Sequence, residues 1–357
     1  MANIQKQFVQ FDEDIRLKRF GENKLLREKR DAILNRLRDR FAAMRREEEQ
    51  VPTFAEFNQG SYEMGTGIQP AEGNEYDIDV GLRFNCAKAE YSNPVDLKVL
   101  VADALEDHTE LGTKIRRSCV TVYYKLGGEQ GYHVDLAIYT YDDPESPSKR
   151  LFLAKGLRDA DEQKRWWEES DPQGLGDWVE KRYSKGDEQE QFLRIIRALK
   201  RWKTEKFKTD GDNAPSGIGL TVAAGQWFQP QFIRDTFAHK STCDDLKAMR
   251  LFVDALISRF TQVDWKQDGS PLYRLTVPVP VAPRKDIFEK MTPGQMTTFR
   301  ERLLQLQECL GKVDREPDPV VACELMRKHF GDKFPVPDKK DTGQSGGRAL
   351  ATSGVSA

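Results

Sequence analysis

The chain is 357 residues long, and its 56 Lys and Arg residues against 58 Asp and Glu residues give a net charge of -2. This length is enough for about two packed domains, and the 10% aromatic content argues against a disordered chain. The balanced charge argues against a protein that coats nucleic acid, because such proteins need a broad excess of positive charge.

No apolar run approaches the ~18 residues that cross a bilayer, and the first residues lack the apolar core of a signal peptide. We therefore expect a cytoplasmic protein without a membrane partner. The five cysteines are widely spaced and form no CxxC pair, and the four histidines form no cluster with them. This spacing predicts neither a disulfide framework nor a structural zinc site.

In chain order, the first predicted element is a long helix at 23–49, where apolar residues recur at helical spacing. Between 54 and 141 a glycine-rich turn is followed by short alternating strands, and beyond 150 helical spacing dominates. This order predicts a mixed α+β fold rather than a regularly alternating one. The further predicted elements are strands at 76–84, 118–125 and 132–139 and helices at 94–106, 188–206, 216–227, 244–260, 293–310 and 318–329.

These elements predict three parts of the chain. A catalytic lobe at 1–210 contains the spine helix 23–49 and the strands, and a helical lobe follows at 211–337. The remaining residues, 338–357, have no aromatic side chain and few large aliphatic ones, so they have little to bury. We expect this C-terminal tail to be disordered.

Three acidic residues stand in otherwise apolar strands. Residues i and i+2 of a strand share a face, so Asp77 and Asp79 are expected on one face, and Asp135 has the same setting in a later strand. Clustered carboxylates repel each other unless a cation lies between them, and a hard divalent metal is the usual partner. The alternative is a solvated strand face, which the apolar setting of all three acids disfavours.

A Gln59, Gly60, Ser61 turn precedes these strands. Glycine permits close approach of the backbone, and a serine with the free amides of a following helix can hold phosphate oxygens. Turn and carboxylates together predict a site for a metal-bound nucleoside triphosphate.

The order of a Gly-Ser turn, an Asp-x-Asp strand and a third strand Asp resembles the polymerase-β-type nucleotidyltransferase superfamily. Further motifs resemble the bacterial cyclic-oligonucleotide synthases of the cGAS/DncV-like group, the CD-NTases. These motifs are QGSYEMGTGIQPAEGNEYDIDVGL (59–82), YHVDLAIY (132–139), KRWWEESDPQGLGDWVEKR (164–182), LRIIRALKRWK (193–203) and APSGIGLTVAA (214–224).

The resemblance implies a two-lobed polymerase-β-like fold with a mixed-sheet palm and a helical C-terminal lobe. It also implies two Mg²⁺ ions, or Mn²⁺ in their place, at the three acids, and it implies that Lys200 and Ser216 contact the triphosphate. From the residues alone, a solvated basic helix face explains the cations around Lys200 as well as triphosphate binding does. For Arg197 and Arg201 both interpretations stay open.

The resemblance further implies a synthase that joins ATP and GTP into cyclic GMP-AMP, a second messenger of antiphage (CBASS) defence. The Cys and His zinc insertion of the animal sensor enzymes is missing, so activation by DNA is not expected. Some such synthases are conjugated through the C-terminus by a ubiquitin-ligase-like enzyme, and a small terminal residue, Ala357, suits this chemistry. The alternatives are a nucleotidyltransferase that tails RNA or modifies a protein acceptor, and an inactive nucleotide sensor.

Overall fold

The structure is a computed structural model that describes residues 2–17, 24–47, 49–70, 76–126, 129–207, 214–235 and 240–339. It is a mixed α+β fold, as the sequence predicts. The α-helices within these ranges are α1 (Gln5–Ile15), α2 (Lys24–Arg46), α3 (Gly60–Glu63), α4 (Val95–Ala104), α5 (Pro172–Glu180), α6 (Asp187–Lys206), α7 (Gly217–Trp227), α8 (Asp245–Ile257), α9 (Pro293–Arg315) and α10 (Pro319–Phe330).

A seven-stranded sheet carries the first half of the chain. Its strands are β1 (Phe54–Asn58), β2 (Tyr76–Ala87), β3 (Thr113–Ile115), β4 (Val120–Leu126), β5 (Glu129–Tyr141), β6 (Leu151–Lys155) and β7 (Trp166–Glu169). The main path has the order β1-β2-β5-β4-β3, with β6 paired to β5 and β7 paired to β6. Only β2 and β5 run parallel among these paired strands; the other pairs are antiparallel. Two separate two-stranded sheets consist of β8 (Phe232–Asp235) with β9 (Lys240–Cys243) and of β10 (Thr261–Trp265) with β11 (Pro271–Arg274).

One face of the sheet is buried against helices α2 and α4. Alternate residues of β2, such as Ile78 and Val80, and of β5, such as Leu136, join a core with apolar side chains of both helices. The period of two in these strands therefore sends their acidic residues to the opposite face. This opposite face carries the candidate site.

A second apolar core joins the helices after the sheet to the first helix of the chain. It contains side chains of α1 and of α6 to α10. Phe8 and Phe11 of α1 contact Phe334, which follows α10. Residues from the two ends of the described chain therefore stabilise each other.

The spine helix is observed at Lys24–Arg46, within the predicted 23–49. Helices dominate after residue 150, as the sequence predicts, but β6 and β7, which extend the sheet and include Trp166 and Trp167, were not predicted. Short runs of four or five residues carry too little periodicity to be recognised from sequence.

The predicted domain boundary at 210 falls between the described ranges and stays a prediction, as does disorder of the tail, whose residues from 340 onward lie outside them. Among the described helices, none has the length and apolar character of a membrane span.

Candidate active site

Parallel pairing of β2 and β5 brings two of the predicted acids together. Asp79 lies directly opposite Asp135 in the register of the two strands, and Asp77 lies opposite His133. Asp79 and Asp135 are partly exposed, whereas their strand neighbours Ile78 and Leu136 are buried. The side chain of Asp77 lies outside the described part of the structure.

Asp135 is held by a neighbouring strand. Thr121 of β4 is its register partner and donates a hydrogen bond from Oγ1 to Oδ1 at 2.6 Å. Burial and the nearby Asp135 charge raise the pKa of Cys119 to about 12, so this thiol stays protonated beside the carboxylate. A small cavity of about 410 Å³ opens here, lined by Arg116, Arg117, Ser118, Cys119, Thr121, Tyr123, His133 and Asp135.

The Gly-Ser turn lies against the other acid. Gly60 begins the short helix α3 with a φ of +72°, and a Cβ built on it would lie 2.0 Å from Asp79 Oδ2. Both the backbone conformation and the contact therefore require glycine. The preceding Gln59 accepts a hydrogen bond at 2.9 Å from the hydroxyl of Tyr139, whose pKa is raised by burial and by the charge of Asp79.

A cleft of about 790 Å³ opens over this turn. Its size suits a small-molecule ligand. The residues that line it include Gln59, Gly60, Ser61, Asp79, Lys200, Lys203, Gly217 and Ile218. The structure thus brings five of the predicted site residues, Gln59, Gly60, Ser61, Asp79 and Lys200, into one cleft, and Asp135 lines the smaller cavity.

Lys200 is almost completely buried in the wall of the cleft, with 5% exposed. Its Nζ donates hydrogen bonds to the carbonyl and to Oγ1 of Thr66, both at 3.0 Å. Burial lowers the pKa of Lys200 to about 7. A negatively charged ligand in the cleft would therefore stabilise its cationic form.

Ser216 acts as the N-cap of α7. Its Oγ accepts a hydrogen bond from the Gly219 N–H at 3.1 Å, and the next two residues, Gly217 and Ile218, line the cleft. The structure therefore places Ser216 next to the cleft wall, and its contact with phosphate stays a prediction.

Four cations of α6 are buried rather than solvated, namely Arg194, Arg197, Lys200 and Arg201. Arg197 pairs with Asp12 of α1, and Arg194 pairs with Asp245 of α8. Sequence reasoning missed Thr66, Thr121 and Asp12, since no local pattern marks the partner of a hydrogen bond between distant segments.

The oxygen ligands at the sheet suit a hard divalent cation, because Asp79 and Asp135 face each other on neighbouring strands. Within the described residues, no group of three His, Cys, Asp or Glu side chains is placed to hold a metal ion. The side chain of Asp77 lies outside the described residues, so its part in a metal site stays a prediction.

Residues 52–139 match the family model described as "Cyclic GMP-AMP synthase DncV-like, nucleotidyltransferase domain". The match includes the Gly-Ser turn and the positions of all three acids. A search of curated proteins gives no significant match.

Solved structures of the Vibrio cholerae DncV cyclic AMP-GMP synthase, a prokaryotic cGAS homologue, share the fold at 18% identity, with a TM-score of 0.66 over 94% of this chain and 98% of that one. The complex with nonhydrolyzable GTP gives 0.69 at 18% identity over 94% and 97%. The complex with the linear intermediate 5' pppA(3',5')pG gives 0.65 at 17% identity over 93% and 96%. Residues 52–139 are therefore similar to the DncV-like nucleotidyltransferase domain, and the chain as a whole has the fold of the Vibrio cholerae DncV structures.

Proposed function

We propose that this protein is a Mg²⁺-dependent cyclic dinucleotide synthase that joins ATP and GTP into cyclic GMP-AMP and releases pyrophosphate. The observation that carries the proposal is the juxtaposition of Asp79 and Asp135, in register on parallel strands, beside a cleft that Ser61 and Lys200 also line. The similar Vibrio cholerae structures bind ATP and GTP in one crystal and the linear intermediate in another.

In this proposal Asp77, Asp79 and Asp135 hold two metal ions and form the catalytic group. Bound Mg²⁺ would lower the pKa of the ribose hydroxyl of the acceptor and would neutralise the charge of the leaving pyrophosphate. Mn²⁺ has the same preference for oxygen ligands and is expected to substitute.

The residues of the chain position the donor nucleotide. Gly60 lets the backbone approach the donor phosphates, and Ser61 offers its hydroxyl and amide to their oxygens. Lys200 contributes a positive charge in the wall, and Ser216 acts at the start of α7, where Gly217 and Ile218 line the cleft. Gln59 is oriented by the Tyr139 hydroxyl.

The reaction proceeds in two similar steps. A ribose hydroxyl of the acceptor attacks the α-phosphorus of the donor, a new P–O bond forms, and the bond to the β-phosphate oxygen breaks so that pyrophosphate leaves. The hydroxyl proton passes to solvent. Thr121 fixes the Asp135 carboxylate, which in this proposal lies next to the attacking hydroxyl. Positioning and charge neutralisation supply most of the rate of such a transfer. The linear intermediate then turns, and the second attack closes the ring.

The wider setting is also part of the proposal. The product would act as a second messenger in antiphage (CBASS) defence in the cytoplasm, without activation by DNA, and the C-terminal tail would be available for conjugation by a ubiquitin-ligase-like enzyme.

The test is incubation of the purified protein with all four labelled nucleoside triphosphates and Mg²⁺, followed by phosphatase treatment and mass spectrometry. A phosphatase-resistant cyclic product containing one guanosine and one adenosine is expected. The matched control, Asp135→Asn, should give none. A linear tail on added RNA, labelled protein, or no product at all would contradict the proposal.

A further inference from the structure

The segment 65–69, which follows the Gly-Ser turn and the short helix α3, is held by three basic side chains from one face of α6. Arg197 Nη1 donates to the Gly65 carbonyl at 2.6 Å. Lys200 Nζ donates to the Thr66 carbonyl at 3.0 Å, and Arg201 Nη2 donates to the Gln69 carbonyl at 2.7 Å. These residues are spaced i, i+3 and i+4 along the helix, so they share a face.

The first helix of the chain completes this arrangement. Asp12 of α1 accepts two hydrogen bonds from Arg197, at 2.6 Å from Nε and 2.7 Å from Nη2, and both side chains are buried. At the end of α1 the Ile15 carbonyl accepts from the Gln69 amide at 2.7 Å, and just after the helix the Leu17 amide donates to the Gly67 carbonyl at 3.1 Å. The segment 65–69 therefore lies between α1 and α6.

The same segment is bonded to the candidate nucleotide-binding turn. The Thr66 amide donates to the Ser61 carbonyl at 2.9 Å, and Thr66 also accepts from Lys200. A displacement of residues 65–66 would thus move Ser61 and remove the acceptors that hold Lys200. Ser61 and Lys200 both line the cleft.

We propose that Asp12 and Arg197 are positioning residues for nucleoside triphosphate binding, and that α1 is part of the nucleotide-binding machinery. Asp12 fixes the guanidinium, the guanidinium fixes the Gly65 carbonyl, and the segment then presents Ser61 and Lys200 to the triphosphate. The inference rests on the proposed nucleotide site. It adds a requirement for an ion pair that touches no substrate.

The chain offers a matched control on the same helix. Arg194, one turn before Arg197, pairs with Asp245 through Nε at 2.6 Å and Nη2 at 3.1 Å, and this pair is equally buried. Asp245 also accepts from Gln191, and its amide donates to Gln5 of α1. The Arg194 pair therefore contributes to helix packing and to the attachment of α1, and its hydrogen bonds go to these helices rather than to residues 65–69.

The experiment compares Asp12→Asn and Arg197→Lys with Asp245→Asn and Arg194→Lys in the full chain. Affinity for a nonhydrolyzable GTP analogue with Mg²⁺ is measured by calorimetry, KM and kcat by product formation, and Tm by thermal unfolding. The first two variants should lower the affinity and raise KM by about tenfold or more, with kcat changed by less than about threefold. The two control variants should lower Tm about as much as the first two variants do, but their affinity and KM should stay within about twofold of wild type.

Unchanged affinity in Asp12→Asn and Arg197→Lys would overturn the inference, as would an equal loss of affinity in the control pair. If the single variants do not fold, the double variant Asp12→Asn/Arg197→Gln, which removes both charges, is expected to show the same loss of affinity, and a wild-type affinity would overturn the inference. Wild-type protein that binds the analogue without forming a cyclic product would contradict the proposed function alone, and the affinities of the variants would still decide the inference.

Discussion

Lys200 is a buried cation whose hydrogen-bond partners in the structure are the carbonyl and hydroxyl of one residue, Thr66. Burial of an ammonium group disfavours its charged form, which is why its pKa falls to about 7. An anionic ligand in the cleft would offset this penalty. Lys200, whose charged form is disfavoured in the free protein, is therefore suited to bind a triphosphate.

Lys200→Ala should weaken binding of nucleoside triphosphate by about ten- to a hundredfold, because a charge-assisted contact contributes roughly 1.5–3 kcal/mol. Lys200→Arg is not expected to restore binding, since a planar fork reaches different oxygens than a point charge does. Calorimetry with the nonhydrolyzable analogue measures both. An unchanged affinity in the alanine variant would leave Lys200 with a structural role in holding Thr66.

Lys200 should also change the pH dependence of stability. Its folded pKa of about 7 lies below the ordinary value of 10.5, so the unfolded state binds more protons between these two values. The free energy of unfolding of the wild type, relative to Lys200→Met, should therefore rise with pH from about 7 to about 10.5, by at most about 1.4 kcal/mol per pH unit. Urea unfolding of both proteins across this range measures the difference. A constant difference would show that the lysine titrates at its ordinary pKa.

The acids of β2 give a third prediction at the scale of residues. Changing both Asp77 and Asp79 to Asn should abolish product formation, because the proposed metal site loses two of its three carboxylates. The fold should persist, since removing clustered negative charge relieves repulsion in the absence of metal. Mass spectrometry of the product and circular dichroism of the variant test the two parts. Turnover close to that of the wild type would rule out the proposed catalytic group.

At the scale of elements, the site depends on how β2 pairs with β5. A shift of one residue in this pairing would move Asp79 away from Asp135, and rotation of either strand to its other face would bury its acids in the core. The apolar face formed by residues such as Val80 and Leu136 fixes the strands against α2 and α4. The same burial that stabilises the sheet therefore sets the position of the carboxylates.

The turn before α3 offers a prediction with an internal control. Gly60 and Gly112 both have a positive φ, of +72° and +67°, but only the Cβ of an alanine at 60 would collide with Asp79, whereas the Cβ at 112 meets no atom within 4 Å. Gly112→Ala should therefore cost about 1 kcal/mol of stability through backbone strain, without loss of activity. Gly60→Ala should cost more stability and reduce kcat/KM by about a hundredfold or more, because Asp79 must move. Thermal unfolding and steady-state kinetics compare the two, and equal activities would show that Gly60 is not needed at the site.

At the scale of the whole molecule, two apolar cores support the cleft from different sides. The core beneath the sheet positions Asp79 and Asp135, and the second core positions α6 and α7, which contribute Lys200 and Gly217 to the cleft. Helix α1 packs in the second core although it begins the chain. The division into a lobe at 1–210 and a lobe at 211–337 remains our proposal for domain organisation.

Neither core needs the C-terminal tail in our proposal. Deletion of residues 342–357 should leave synthesis of the cyclic product by the purified protein within about twofold of wild type, because the tail has little apolar surface to bury. The assay is the same product analysis by mass spectrometry. A large loss of activity would refute the prediction that the tail is disordered and dispensable for catalysis.

The sequence by itself determined the α+β class, the strands that carry Asp77, Asp79 and Asp135, and the Gly-Ser turn before them. These features depend on local spacing, since alternation of apolar and acidic residues in a strand specifies both the strand and its two faces. The resemblance added Lys200 and Ser216, which local spacing does not distinguish from a solvated basic face and an ordinary helix cap.

Only the tertiary structure decided which segments meet. Asp79 and Asp135 face each other because two strands pair in one register, and Asp12 pairs with Arg197 across 185 residues of sequence. Strands β6 and β7 join the sheet because β6 pairs with the end of β5 that extends beyond β4, at residues 139–141, and not because their few residues show a strong pattern. Hydrogen bonds and ion pairs between distant segments form only after the cores bring them together, so no local pattern in the sequence records them.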